Sequence, residues 1–329
     1  MPTIDDVAKL SGVSIATVSR VLNGKNGVSD KAKEAVLRAI EELDYRPSGI
    51  ARNLANKRSS FNIGILISQR IGKILNTKDL FGIREFYSTV LAGIESYAKE
   101  NNINLSLKTF ENCEKNFIRS TEGLLIIGGD RLPSCIKNIE IPKVLVDNYI
   151  PSMKVDSIIS NGFDGAYYAI TKMIERGYKK IAHIHGSLTF YGFRNRYEGY
   201  VAAMSEKGLL PQTFECDETT DGIFYALNLA LSKNPEVIFA SNDVIALIIL
   251  DELKKMEIKV PNDIQLIGFD DIISSSISEP KLSTLKVFKY EMGNIAVSRL
   301  LDLINGKNPH PAVISLFTTF VERESTIQK

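Results

Sequence analysis

Several polar residues sit directly after short apolar runs, and their types suit the capture of hydroxyl groups. Asp147 follows "KVLV", Asn242 and Asp243 follow "VIFAS", and Asp270 and Asp271 follow "QLIGF". Arg196 lies early in "GFRNRYEGY", downstream of "KIAHIH". A guanidinium, an amide and two carboxylates brought together can hold vicinal hydroxyls through charge-assisted hydrogen bonds, and sugars are the natural fit. Taken singly, each is also a good helix N-cap or loop residue, because Asp and Asn favour those positions. Their shared placement is the stronger signal.

Other chemistries find less support. Arg194 and Arg196 are two apart, about 200° around a helix, so only one of them can face a cleft. "IIGGDR" (126–131) is Gly-rich after an apolar run but lacks both G-x-G-x-x-G and the phosphate-loop lysine. A phosphorylated ligand is therefore unsupported. There is no G-x-S-x-G and no H-E-x-x-H; of three histidines, His183 and His185 share one strand face with no third ligand near in sequence, which points to packing rather than metal. The chain is expected to be no enzyme, with no metal and no cofactor. Cys113, Cys135 and Cys216 form no CxxC pair and no disulfide framework.

The elements that would carry these residues read clearly. From Asn62 onward, "NIGILIS", "INLSLK", "GLLII", "KVLVD", "SIIS", "KIAHIH", "EVIFA" and "IQLIG" alternate with helical stretches. Near-continuous apolar strands alternating with helices imply parallel sheets covered on both faces, and nine or ten such units exceed one sheet. Two lobes are expected, with Asn161 as a crossing point. In open parallel sheets ligands sit outside the carboxyl ends of the strands, where the polar residues above fall.

The first fifty residues are built differently. Ile4, Val7 and Ala8, then Val18, Val21 and Leu22, fall at helical spacing around Gly12, and Ser14 is placed as N-cap of the second helix. After Ser29, the positions Ala32, Ala35, Val36, Ala39, Ile40 and Leu43 make one apolar stripe, ending near Tyr45 before Arg46-Pro47. Three helices with a tight Gly turn can place the second helix in a DNA major groove, Ser14, Ile15, Ala16, Thr17 and Arg20 facing outward. Arg20 can grip a guanine edge or phosphate, whereas Ile15 and Ala16 offer only apolar contact. A small helical bundle that binds protein is the competing reading. Residues 1–60 hold ten Lys/Arg and seven Asp/Glu, net +3, against 30 and 32 in the remainder, net −2. That asymmetry points weakly to a polyanion. No signal-peptide core and no apolar run of membrane length is present, so a soluble cytoplasmic protein with no membrane partner is expected.

The stretch from Thr3 to Ser59, with D-V-A, G-V-S, T-V-S-R-V-L-N, the Tyr-Arg-Pro junction and A-R-x-L-A, resembles the DNA-binding head and hinge of the lactose/galactose repressor family of bacterial transcription regulators. The resemblance implies an all-α helix-turn-helix head (1–46), a hinge helix (47–58), and an α/β two-lobed, periplasmic-binding-protein-like core (59–329) of two parallel doubly wound sheets. Its first lobe would comprise about 60–160 and 289–320, its second about 161–288. It adds Thr3, Asn23, Ser29, Ala51 and Leu54 as DNA contacts, with Leu54 wedged into a minor-groove base step. "RNRYEGY", "ASNDVIA" and "LIGFDDI" match the family's effector segments, which carries effector roles to Arg196, Asn242 and Asp270, with Asp147 beside them; Glu85, Phe86 and Tyr87 fall where first-lobe contacts lie, with helix packing as the alternative for the aromatics.

The implied protein is a repressor of carbohydrate genes, a homodimer or tetramer on palindromic operator DNA, controlled by a small sugar between the lobes. Galactose and β-galactoside regulators look most similar, although "GFDDI" has Asp270 where that subgroup often has Asn. "TTFVERESTIQK" at the C-terminus carries no leucine heptad, which argues against a coiled-coil tetramer. The alternatives are a sugar-binding protein without DNA-linked regulation, and a catabolite regulator using a phosphocarrier protein as co-effector.

Overall fold

The computed structural model describes the chain apart from residues 1, 23–26, 44, 46–59, 77–80, 130–131, 138, 152 and 328–329. Two compact units are present: 1–61 together with 301–309, and the remainder. Asn23, Ala51 and Leu54, and with them the hinge helix read over 47–58, lie outside the described residues.

The N-terminal unit holds helices α1 (Ile4–Ser11), α2 (Ile15–Leu22) and α3 (Asp30–Glu42). Thr3 caps α1 in a capping box: Asp6 N donates to Thr3 Oγ1 at 3.3 Å, while Thr3 N donates to Asp6 Oδ2 at 2.8 Å. Gly12, at φ 66°, ends α1 in the left-handed conformation that glycine adopts without a Cβ penalty. Ser14 accepts from Thr17 N at 3.2 Å and Ser29 from Ala32 N at 3.3 Å, so α2 and α3 also begin on serine. The core is small: Val7, Ala8, Val18, Val36, Ala39 and Tyr45 are buried, with Ile4, Val13, Val21 and Leu22 packed on them. Helix α3 ends at Glu42, a few residues before the expected Tyr45, which instead folds into that core.

The larger unit holds two six-stranded sheets. Strands β1 (Phe61–Ile67), β2 (Ile103–Thr109), β3 (Gly123–Ile127), β4 (Lys143–Val146), β5 (Asp156–Ser160) and β11 (Val313–Leu316) form the first, in order β11-β5-β4-β3-β1-β2. The second is built from β6 (Ile181–His185), β7 (Gln212–Glu215), β8 (Val237–Ala240), β9 (Gln265–Asp270), β10 (Ser283–Lys286) and β12 (Thr319–Val321), in order β12-β10-β9-β8-β6-β7. Pairing is parallel between β3 and its neighbours β1 and β4, and between β8 and its neighbours β6 and β9. Strands β3, β5, β6 and β8 are buried along their whole length; β3 and β8 are unbroken apolar runs, whereas β5 and β6 include Asp, Ser and His.

Two features differ from the expectation. Strand β12 pairs antiparallel with β10, so the second sheet is parallel except at that edge. The last crossing falls between Leu316 and Thr319, so residues 319–320 sit in the second sheet, not in the first lobe as read. The helix Lys289–Ile304 carries the chain back from the second lobe, and Arg299 binds the buried Asp156 of β5 at 2.6 Å. Among the described residues no helix is long and apolar enough to cross a membrane.

Candidate functional site

Between the lobes lies a cleft, formed where carboxyl ends of both sheets face each other. That is the place at which small ligands bind in such folds. From the first lobe come Ser68, Arg70 and Ile71 after β1, Phe86 and Tyr87 from the Phe81–Glu100 helix, Gly128 and Gly129 after β3, and Asp147 and Asn148 after β4. The second lobe contributes Phe190, Tyr191, Phe193 and Arg196 around the start of the Tyr191–Glu206 helix, Asn242 after β8 and Asp270 ending β9. Six residues read from sequence as effector contacts, Phe86, Tyr87, Asp147, Arg196, Asn242 and Asp270, are thus brought together.

The seventh, Glu85, is not. It is absent from the cleft wall, and its Oε1 instead accepts from Ile273 N of the other lobe at 2.7 Å, while Oε2 is enclosed with no hydrogen-bond partner. One position along a helix rotates a side chain by about 100°, which turns Glu85 to the lobe contact while Phe86 and Tyr87 face the ligand space. The lobes approach closely here: a Cβ on Gly82 would come within 2.6 Å of both Ile272 Cδ1 and Val244 Cγ2.

Arg196 is 5% exposed and held on three sides. Its Nη2 binds Asp270 Oδ1 at 2.8 Å, its Nη1 donates to Ser241 O at 2.5 Å, and its guanidinium carbon lies 3.9 Å from the centre of the Phe269 ring. Nε is buried without a partner. Arg194 points elsewhere, towards Leu188 O, as the 200° separation requires. Asn242 serves as N-cap through Oδ1, which accepts from Ile245 N at 2.8 Å; the bland reading of this residue and its place on the cleft wall are both true. Its neighbour Asp243 turns inward, accepting from Thr284 Oγ1, Ser275 Oγ and Ile272 N, and burial pushes its carboxyl up to about 7.

Asp147, Asp270 and Asp271 adopt φ of 55°, 113° and 52°, a region that non-glycine residues enter rarely and at some energetic cost. Such strain concentrates at functional sites. The Asp270-Asp271 turn is fixed from outside, since Lys289 Nζ donates to both carbonyls and Arg323 Nη2 binds Asp271 at 2.6 Å. Asp147 accepts from the Tyr87 hydroxyl at 3.1 Å. Enclosure by the cleft walls raises its carboxyl to about 7; Arg196 opposes that rise and Asp270 adds to it. Burial likewise lifts the Asp270 carboxyl, against the pull of Arg196, and lifts the Tyr87 hydroxyl far enough to keep it a neutral donor.

Sequence reasoning missed Arg70 and the second-lobe aromatics Phe190, Tyr191 and Phe193. Arg70 Nη2 donates to both carboxylate oxygens of Glu218 at 2.7 Å, and the Arg70 guanidinium lies 4.5 Å from the centre of the Phe190 ring, a further tie between the lobes. No local motif announces a pair 148 residues apart. Gly128 and Gly129 were visible only as a failed phosphate loop, though their position after β3 marks them by the same rule that found Asp147. His183 and His185 are both buried, ring centres 5.2 Å apart. Burial drives His183 down to about 3, so it is a neutral packing group, bonded to Phe239 O at 2.9 Å. Among the described residues no cluster of His, Cys, Asp and Glu is placed to hold a metal.

In the N-terminal unit, Ser14, Ile15, Ala16 and Arg20 are exposed on α2, Thr17 is half-buried beside Ser14, and Thr3 and Ser29 are exposed at the starts of α1 and α3. Ile15 is among the exposed large apolar side chains.

Comparison with known proteins agrees with both halves. Residues 3–48 match the family described as bacterial regulatory proteins, lacI family, and residues 170–326 match the periplasmic binding protein-like domain. The ribose operon repressor of Haemophilus influenzae is 32% identical, over 99% of this chain and 98% of its own length. Among solved structures, a transcriptional regulator CelR–cellobiose complex superposes with TM-score 0.73 at 26% identity, covering 99% of this chain and 100% of that one. The lac repressor dimer bound to operator and an anti-inducer gives TM-score 0.70 at 26% identity, with 99% of each chain covered. With a reading head, a two-lobed core around a polar cleft and end-to-end likeness to such repressors, the chain belongs to the lacI family of bacterial regulatory proteins and is a DNA-binding transcriptional regulator.

Proposed function

We propose that this protein is a repressor, cytoplasmic and without catalytic activity, whose operator affinity is set by a small carbohydrate bound between the lobes. The observation that carries the effector half is the convergence of Arg196, Asp270, Asn242 and Asp147 on one cleft walled by Phe86, Phe190 and Tyr191. Charged and amide groups bind vicinal hydroxyls, and aromatic faces cover the apolar C–H face of a sugar ring. The ribose and cellobiose named for two similar proteins are consistent with this reading.

The DNA half rests on α2. Ser14, Ile15, Ala16, Thr17 and Arg20 read the major groove, while Thr3 and Ser29 present helix N-termini to phosphates. Asn23, Ala51 and Leu54 are assigned to DNA by the family pattern, Leu54 as the minor-groove wedge. The lac repressor is a dimer on its operator, and two-fold paired heads on a palindromic site are proposed here too. The domain divisions at 46 and 58 belong to the same reading. A sugar that changes the angle between the lobes shifts the heads; such coupling is commonly worth about 1–3 kcal/mol, or roughly 5- to 150-fold in operator affinity. The test is a fluorescence-anisotropy titration of ribose, cellobiose and galactosides into the operator complex, in which at least one sugar is expected to release DNA. A complex indifferent to the whole panel would refute the carbohydrate assignment.

A further inference from the structure

The charged groups around the cleft are unevenly paired, and the one left without an ion pair says what the ligand carries. Arg70 is committed to both oxygens of Glu218, and Arg196 to Asp270, Ser241 O and the Phe269 ring. Lys289 spends its ammonium on the carbonyls of Asp270 and Asp271. Among the described residues, each cation at the cleft is thus already paired, Arg196 keeping only its buried Nε without a partner. The Asp147 carboxyl group, by contrast, bonds among them only to the neutral Tyr87 hydroxyl. The groups facing it from the packed elements are Tyr87, Arg70, Arg196, Asp270 and Tyr191, and both arginines among them are already ion-paired to other carboxylates.

Resting on the carbohydrate reading above, we propose that Asp147 sets the charge selectivity of the cleft: the effector bears no phosphate or carboxylate and presents a hydrogen-bond donor to the Asp147 carboxylate. A phosphate would meet a carboxylate that has no ion pair of its own in a partly desolvated space, where like charges repel far more strongly than in water. A hydroxyl or an amine supplies what Asp147 lacks.

The experiment uses the full chain and matched probe pairs: ribose with ribose 5-phosphate, glucose with glucose 6-phosphate, and adenosine with adenosine 5′-monophosphate. Binding is measured calorimetrically to the native protein and to Asp147→Asn. In any series that binds, the phosphorylated member is expected to bind at least about tenfold more weakly than its parent, with the gap shrinking in the variant. A phosphorylated member that binds as tightly as its parent, or tighter, overturns the proposal and leaves the carbohydrate reading standing. Response in the adenosine series alone, with the charge order kept, sinks the carbohydrate reading and supports the proposal.

A ligand-free arm decides the case in which no probe binds. The folded-state value of Asp147, about 7, lies above its ordinary 3.8, so the protonated form is favoured in the native state and stability falls as pH rises between those values. Asp147→Asn is therefore expected to raise the thermal midpoint by several degrees at pH 8.5 and by clearly less at pH 5. A variant less stable than native at pH 8.5 would mean that the carboxylate is already compensated, which overturns the proposal.

Discussion

Replacing Arg196 with Ala should be costly to the core as well as to ligand binding. The side chain is 6% exposed and its ionic partner Asp270 14%, with 2.8 Å between them. Truncation leaves the Asp270 carboxylate and the Ser241 carbonyl without their donor and removes the cation stacked on Phe269. Breaking one side of a buried pair costs about 3–5 kcal/mol, mostly because the remaining charge is stranded. Two features hold the figure near the lower end. Lys289 stands close to Asp270, and burial has already raised that carboxyl, so it can take up a proton instead of remaining charged. At about 2–4 °C per kcal/mol, the thermal midpoint of the core should fall by roughly 6–12 °C at neutral pH.

The loss should shrink as pH drops and Asp270 protonates. The double variant Arg196→Ala with Asp270→Asn, which strands no charge, should recover more than half of it. Differential scanning calorimetry of the four proteins in the cycle measures the coupling directly. A single variant within about 1 kcal/mol of native, or a double variant no more stable than the single, would show that the pair is not the charge-balanced unit described.

Three further outcomes are expected. Arg20→Ala should weaken specific operator binding by about 1–3 kcal/mol if it grips a base edge, and equally on all sequences if it meets only phosphate; salt-dependent anisotropy on operator and scrambled duplexes separates the two. Leu54→Ala should reduce operator binding much more than non-specific binding, because a wedge acts only where a base step is opened; equal losses on both would remove Leu54 from that role. Glu85→Gln weakens the acceptor that ties the first lobe to Ile273 without touching the cleft wall. It should open the lobes, visible as an increased radius of gyration in X-ray scattering of the unliganded protein, and unchanged scattering would count against that hydrogen bond as a tie between them.

How far the structure could be read from sequence depended on burial. Strands β3 and β8, covered on both faces, are apolar throughout, and β5 and β6, equally buried, were recognised from the apolar residues between their Asp, Ser and His positions. Strands β7, β11 and β12 are half-exposed, and β10 is buried but carries Ser283 and Thr284, so none displays that signature. The site divided along the same line. Asp147, Asn242 and Asp270 were legible because strand ends are predictable and ligands gather there. Arg70 was invisible because its meaning lies in Glu218, which only the tertiary fold brings near. Glu85 was misplaced by one step of helical phase, which a motif match cannot resolve and a hydrogen bond to Ile273 does.

The central claim is that occupancy of the cleft is felt at the DNA. Measuring operator affinity of the native protein and of Arg196→Ala, each with and without a sugar that binds the native cleft, addresses it most directly. Native operator affinity is expected to shift by about 5- to 150-fold on addition of the sugar, and the variant's not at all at the same concentration. A native protein that binds the sugar yet holds its operator unchanged would contradict the account.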